Sequence, residues 1–203
     1  MKRITERLTP PELVAYAAKY FFEKGLTDAA GGNISIKVGN DIYMTPTLAG
    51  TEYHWQIGAE DVVIGTADKM DELKKHPRFS REGFSHLSIY EAFPFVGAVV
   101  HAHPKYVNAF VVQSKPIYPL MRSTEKLGTL EYHEAAEPYS QDQADKIVKV
   151  LKKQEDKLRT KAAAVLMPNH GIIVASKDLM TALDNLERIN NNAWTILAQK
   201  LLD

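Results

Sequence analysis

The chain has 203 residues, with 25 Lys plus Arg balanced by 25 Asp plus Glu, seven histidines and no cysteine. A formally neutral chain has no global field to draw it to nucleic acid or an anionic membrane. Without cysteine there is no disulfide, thiolate zinc site, iron–sulfur cluster or Cys nucleophile, so any metal must be held by His, Asp or Glu.

No stretch approaches the roughly 20 apolar residues of a membrane span. The basic start at residues 1–7 has no apolar run behind it. Neither a secretory signal nor an anchor is expected, and the cytoplasm is the default location. The length suits one domain over 1–203, large enough to bury a substantial core.

Thr9 and Glu12 match a capping box with Pro10 in the first turn, and Leu13, Val14, Ala17, Ala18, Phe21 and Phe22 share one face. The pattern predicts a helix over 10–24, stopped by Gly25. After Gly31-Gly32-Asn33, residues 34–38 alternate as a half-buried strand does, and Gly39-Asn40-Asp41 turns the chain into a returning strand over 42–45. Residues 47–58 read as irregular, 61–66 as a strand and 69–78 as a charged, exposed stretch. Ser80 is expected to cap a helix over 81–92, with Glu82 in its first turn, Phe84, Leu87 and Tyr90 inward, and Pro94 as its stop. Residues 96–100 form a short apolar strand with His101-Ala102-His103-Pro104 at its exit, and 106–113 are helical. Residues 116–140, rich in Pro, Gly and aromatics, are expected to hold short strands. An amphipathic helix follows over 141–159, then strands over 163–167 and 172–175 around Pro168-Asn169-His170-Gly171, and a last helix from Ser176 or Asp178 to Leu202. Hairpins mixed with separate helices argue for a layered α/β or α+β domain and against a strict βαβ repeat.

His101 and His103 stand two apart at a strand end, so both imidazoles point one way and can reach one ion. An H-x-H alone is a weak signal. His170, in a turn between two apolar strands, is a third candidate, and three neutral imidazoles with an open fourth position form a catalytic zinc pattern. The competing reading has His170 bonding backbone in a tight turn, and spacing leaves both open. Glu82 has two readings as well. A first-turn acid is favoured by the helix dipole, while near a metal the same carboxylate serves as general base or as a ligand that substrate displaces. Gly31-Gly32-Asn33 belongs to no Walker A or G-x-G-x-x-G motif; such backbone either cradles phosphate or simply turns.

Taken in order, five blocks resemble the class II aldolase/adducin family, most of all its fuculose-phosphate aldolase branch. They are Gly31-Gly32-Asn33-Ile34-Ser35; Thr45-Pro46-Thr47; Ser80-Arg81-Glu82 with His86 and Tyr90; Val99-Val100-His101-Ala102-His103-Pro104; and Asn169-His170-Gly171. The resemblance implies a three-layer α/β/α fold with a central, mostly antiparallel sheet, and a homotetramer with active sites at subunit interfaces. It implies one Zn2+ per subunit on His101, His103 and His170, the family acid at Glu82, and a phosphate pocket at Gly32, Asn33, Thr47 and Ser80. The implied reaction is cleavage of a ketose 1-phosphate to dihydroxyacetone phosphate and an aldehyde, with Glu82 shuttling the proton. The same fold also serves sugar-phosphate dehydratases like that of methylthioribulose 1-phosphate, and 4-epimerases, which Glu82 disfavours because that branch carries Asp. It serves non-catalytic adducin-like interaction modules too, which lack the metal histidines.

This sequence departs from the family pattern in places. Leu48-Ala49 intervene before Gly50, where the pattern has Gly directly after Thr47. Arg81 replaces a small residue, as a partner for phosphate or carboxylate or as a solvated helix-start cation. Tyr132 and Tyr139 are candidates for a family tyrosine that comes from a neighbouring subunit; the family's tyrosine in a C-terminal tail has no counterpart. His86 is expected to support the site, His54, His76 and His133 to be surface or loop residues, and Trp55 and Trp194 to pack.

Overall fold

The computed structural model describes residues 3–201. Strands β4 (Ala98–Ala102), β6 (Ala162–Met167) and β7 (Gly171–Ser176) are buried at every position, as strands covered on both faces are. They pair antiparallel, β4 with β7 and β7 with β6. Strands β1 (Asn33–Val38) and β2 (Asp41–Met44) make the expected hairpin. Gly39 supplies its left-handed φ of +62°. Strand β3 (Val63–Thr66) lies at one edge of the sheet and β5 (Glu131–Tyr132) at the other, parallel to β6. The strand order is β3-β2-β1-β4-β7-β6-β5.

Alternation of side chains along each central strand feeds two cores. Ala98, Val100, Ala164, Leu166, Ile172 and Val174 pack with helices α1 (Pro10–Glu23), α5 (Lys105–Val111) and α8 (Leu179–Gln199). Val99, Ala163, Val165, Met167, Ile173 and Ala175 pack with α4 (Gly83–Ala92), α6 (Gln141–Lys152) and α7 (Glu155–Thr160). The result is the expected three-layer α/β/α arrangement around a mostly antiparallel sheet. Helix α1 opens on its capping box, with Thr9 N donating to Glu12 Oε2 at 2.7 Å. No described helix is long and apolar enough to cross a membrane.

Several stretches differ from the sequence reading. The helix expected over 141–159 breaks between α6 and α7 because Gln154 turns inward, where its Nε2 donates to the Ala164 carbonyl at 3.1 Å. Residues 47–58 hold a short helix, α2 (Ala49–Tyr53), and bury Trp55. Residues 69–78 hold α3 (Met70–Leu73), whose Leu73 is buried. Of the short strands expected over residues 116–140, the structure has the two-residue β5 and an isolated bridge between Ile117 and Leu130, with a 3-10 turn at Glu125–Leu127 between the bridged residues. Helix α4 starts at Gly83, so Glu82 occupies the cap position, and Ser80 accepts from Gly83 N at 2.8 Å through its carbonyl and not through the expected side-chain cap. Strand β4 runs two residues later than expected and takes in His101. The last helix ends at Gln199; Leu202, its expected end, lies outside the described residues, as do Met1 and Lys2 of the basic start.

Side-chain bonding orders the segment before β5. Asn192 of α8 is buried, and its Oδ1 accepts from Leu120 N at 2.8 Å, Met121 N at 2.9 Å and Thr124 Oγ1 at 3.0 Å, while Nδ2 donates to the Tyr118 carbonyl at 2.9 Å. Asn192→Ala strands these groups, and a loss of about 3 kcal/mol is expected. Urea unfolding checks it, with native far-UV circular dichroism unchanged.

Candidate active site

The antiparallel register gathers chemistry at one end of the sheet. Asn33 opens β1 opposite His101 of β4, and Ala102 pairs with Ile172 beside the β6–β7 turn. His101 shares the α4 face with Val99, and His103 follows just past the strand. His170 sits in the turn, where Asn169 takes a left-handed φ of +54°. The three rings form a nearly equilateral triangle, with centroids 4.9 Å apart for His101–His103, 4.8 Å for His101–His170 and 4.9 Å for His103–His170. One nitrogen from each lies within 4.8 Å of the others.

The hydrogen bonds fix where the protons are. His101 Nδ1 is 3.2 Å from the Ile172 carbonyl, which only accepts, so Nδ1 carries the hydrogen. His103 Nδ1 likewise donates to Asp28 Oδ2 at 3.1 Å. In the neutral rings both Nε2 atoms are then lone pairs, and they face each other at 3.1 Å. Glu82 Oε1 lies 3.4 Å from His170 Nε2 and 3.9 Å from His101 Nε2. Lone pairs and a carboxylate converging in this way repel unless a cation sits among them. Imidazoles whose other nitrogen is tied to a carbonyl or carboxylate are also how proteins orient metal ligands. The donor set therefore fits a divalent ion that takes nitrogen ligands.

Burial governs the charges. It holds His101 well below the usual histidine value and, with His103 and His133 adding to it, His170 at about 4. Neither oxygen of buried Glu82 has a hydrogen-bond partner. Burial lifts its carboxyl to about 7, against the opposing pull of Arg81. His86, one turn further along α4, is wholly buried. Its Nδ1 is 2.7 Å from Ser35 Oγ, which is 2.8 Å from the Tyr90 hydroxyl, and this chain ties α4 to β1 beneath the site.

Close packing holds the histidines. A Cβ on Gly31 would lie 2.1 Å from the His103 ring, and one on Gly171 would lie 2.4 Å from the Ala102 carbonyl. Asp28, absent from the sequence reading, is central here: Oδ1 accepts from Ala30 N at 2.9 Å and Gly31 N at 2.6 Å while Oδ2 holds His103. Burial raises its carboxyl, but those backbone donors and His103 outweigh it and the net shift is downward. Buried Trp55 packs edge-on against Phe21 at 4.7 Å and donates to the Asp28 carbonyl at 3.0 Å, so it packs as expected. A local sign for Asp28 exists in the sequence, since an Asp three residues before a Gly pair suits a side-chain-capped turn.

A cavity of about 70 Å³ opens over the histidines, lined also by Gly32, Thr47, Ser80, Arg81, Glu82 and Tyr139. Asn33 lies outside that lining, buried with both amide atoms unpartnered. The Leu48 insertion is absorbed by a left-handed φ of +61°, and Thr47 N still donates to the Arg78 carbonyl at 2.9 Å. Arg81 stacks its guanidinium 5.0 Å from the Tyr139 ring, whose edge meets His170 at 6.0 Å. Tyr132 turns its hydroxyl elsewhere, to the Phe110 and Lys115 carbonyls at 3.1 Å and 2.9 Å. His54 and His76 are exposed as expected. His133 is not a surface residue: it is 4% exposed, in the segment after β5. Trp194 stays exposed on α8, its ring 5.0 Å from Tyr106.

These shifts set opposite pH dependences in the metal-free protein. Glu82, raised from 4.5 to about 7, binds more protons folded than unfolded, so its contribution is complete below pH 4.5 and lost as the pH rises through 7. His86 and His170, depressed from 6.5 to about 3 and about 4, contribute above pH 6.5 and lose that contribution as the pH falls towards those values. Glu82→Gln is expected to stabilise the metal-free protein at pH 8 by on the order of 2 kcal/mol and to have little effect at pH 4.5. Denaturant titrations at the two pH values check it.

Comparison with known proteins gives a consistent result. Residues 12–197 match the sequence model of the Class II Aldolase and Adducin N-terminal domain. The 3-oxo-tetronate 4-phosphate decarboxylase of Haemophilus influenzae is 26% identical over 209 residues, covering 96% of this chain and 91% of that protein. The L-fuculose phosphate aldolase of Methanococcus maripaludis is 27% identical over 168 residues, covering 81% of this chain and 83% of that protein. A solved L-fuculose 1-phosphate aldolase superposes with a TM-score of 0.78 at 21% identity, covering 100% of this chain and 89% of that one, which shows the shared fold. The chain belongs to the class II aldolase and adducin N-terminal domain family.

Proposed function

We propose that the chain, acting as one domain, is a zinc-dependent aldolase that cleaves a ketose 1-phosphate, of the L-fuculose 1-phosphate kind, to dihydroxyacetone phosphate and an aldehyde. The observation that carries this reading is the cluster of three imidazoles, two of which approach Glu82 Oε1 at 3.4 Å and 3.9 Å, while the buried Glu82 carboxyl has no hydrogen-bond partner. His101, His103 and His170 would hold one Zn2+ per subunit. A divalent cation there supplies Lewis-acid stabilisation of the negative charge that builds on substrate oxygens.

The rest of the chemistry falls to the chain's own groups. Gly32, Thr47 and Ser80 of the cavity lining hold the phosphate, joined by Asn33 if its buried, unpartnered amide becomes accessible on binding, and Arg81 adds the one permanent positive charge in that lining. Anchoring that end aligns the reacting carbons. As the carbon–carbon bond breaks, ionised Glu82 takes the proton from the hydroxyl on the departing carbon and, now protonated, delivers it to the carbon left behind; in the synthetic direction the ionised carboxylate removes that proton and returns it to the new hydroxyl. A carboxyl lifted to about 7 has both forms within reach near neutral pH, and a cation on the histidines favours the ionised one. A non-catalytic, adducin-like role would leave the histidines and Glu82 unused.

A second reading has its own support. A decarboxylase acting on a phosphorylated 3-oxo acid faces the same problem, an electron pair left beside a carbonyl, and the Haemophilus influenzae relative bears that activity in its name. Arg81 is the kind of group an acid substrate needs. Products separate the readings: the aldolase releases triose phosphate and an aldehyde, the decarboxylase releases carbon dioxide, and a dehydratase releases neither.

The proposal extends to a cytoplasmic homotetramer with active sites between subunits. Exposed Tyr118, Leu120, Met121 and Trp194 are apolar surface of the kind subunit contacts cover, and light scattering is expected to return four chains. Glu82→Gln is expected to keep its zinc by elemental analysis and lose about a hundredfold or more of kcat. Undiminished turnover removes Glu82 from the mechanism. Arg81→Ala is expected to raise KM about tenfold with kcat little changed, read from initial rates.

A further inference from the structure

The cavity over the histidines is small, about 70 Å³, but a second one of about 470 Å³ adjoins it, sharing Tyr139 and His170 as lining. A substrate anchored by its phosphate in the first has room for its other half in the second. The two differ in charge. The first is lined by Arg81 and Glu82, whereas no Lys, Arg, Asp or Glu lines the second. Ala135, Ala136, Pro138 and Pro168 give it apolar surface, so an anionic group entering it finds no countercharge.

His133 gives this second cavity its polarity. The residue lines it and is 4% exposed. Its Nδ1 lies 2.6 Å from the Glu134 carbonyl, so Nδ1 carries the hydrogen and donates. Nε2 is left as a lone pair, and it is buried with no partner. Burial also holds the ring's pKa down, so the imidazole stays neutral and accepting. A buried acceptor without a donor is a cost that binding can remove, and an acceptor of this kind selects an O–H.

We infer that this cavity is the subsite for the neutral, hydroxyl-bearing half of the substrate, and that His133 Nε2 accepts a hydrogen bond from its hydroxyl. The inference rests on the reaction proposed above and sharpens it. Carbon dioxide carries no hydroxyl, so a hydroxyl-reading subsite favours an aldehyde product over decarboxylation.

The test uses the zinc-loaded protein in the synthetic direction. Addition of dihydroxyacetone phosphate to lactaldehyde is compared with addition to propanal, which lacks the hydroxyl. In parallel, proton exchange of dihydroxyacetone phosphate in deuterated water, followed by NMR, reports on the site without any aldehyde. His133→Leu is expected to raise KM for lactaldehyde about tenfold or more relative to propanal, with exchange and zinc content unchanged. His133→Gln, whose amide oxygen also accepts, is expected to recover most of the preference. If His133→Leu loses exchange as well, the site as a whole has failed and His133→Gln decides: wild-type preference supports the inference, and lost preference with exchange intact overturns it. Equal effects on both aldehydes, or none, overturn it too. Wild-type protein that fails to exchange overturns the proposed reaction and this inference with it.

Discussion

Two imidazole lone pairs face each other across 3.1 Å, His101 Nε2 against His103 Nε2, and a buried carboxylate oxygen stands 3.9 Å from the first. Such an arrangement persists only if the surrounding structure holds each ring by its far side. The Ile172 carbonyl does this for His101 and Asp28 for His103. Asp28 is in turn held by two backbone N–H groups, and its own carbonyl by the Trp55 indole. The β4–β7 register brings the Ile172 carbonyl to His101, and the missing Cβ atoms of Gly31 and Gly171 let backbone approach the His103 ring. Sheet order, loop geometry and one buried tryptophan thus all bear on one small volume.

Six of the eight buried side-chain atoms without partners among the described residues belong to residues in or around this site: Glu82 Oε1 and Oε2, both amide atoms of Asn33, His86 Nε2 and His133 Nε2, the other two being Asn108 Oδ1 and Gln154 Oε1. Native proteins satisfy nearly all such groups, so a cluster of exceptions marks where binding completes the structure. Large apolar cores on both faces of the sheet tolerate the cost. The Tyr90–Ser35–His86 chain keeps the start of α4 in register, so the unpaired Glu82 stays aimed at the histidines.

Much of this was legible in the sequence, for physical reasons. His101 and His103 share a face because strand side chains repeat every two residues, and His170 announces itself as an imidazole in a turn between apolar strands. Thr47, Ser80, Gly32 and Glu82, singled out by their motif positions, all line the cavity, while Asn33 does not. What escaped was set by tertiary contacts. Gln154 breaks a helix because a carbonyl on β6 takes its amide. His133 is buried in an irregular segment that lies with Gln143 of α6 and the β6–β7 turn, elements later in the chain. Tyr139, a candidate tyrosine expected from a neighbouring subunit, lines the cavity of its own chain, through a left-handed backbone that no local pattern predicts for tyrosine. Asp28 acts on a histidine 75 positions away, a pairing that spacing does not encode.

X-ray absorption at the zinc edge tests the central claim most directly, because it reads the atoms around the ion and not the activity. The account predicts one zinc per chain with three imidazole nitrogens at about 2.0–2.1 Å and one oxygen donor, and loss of one imidazole from that shell in His170→Ala. Zinc that fails to bind, or a shell that keeps the same imidazole count in His170→Ala, would contradict it.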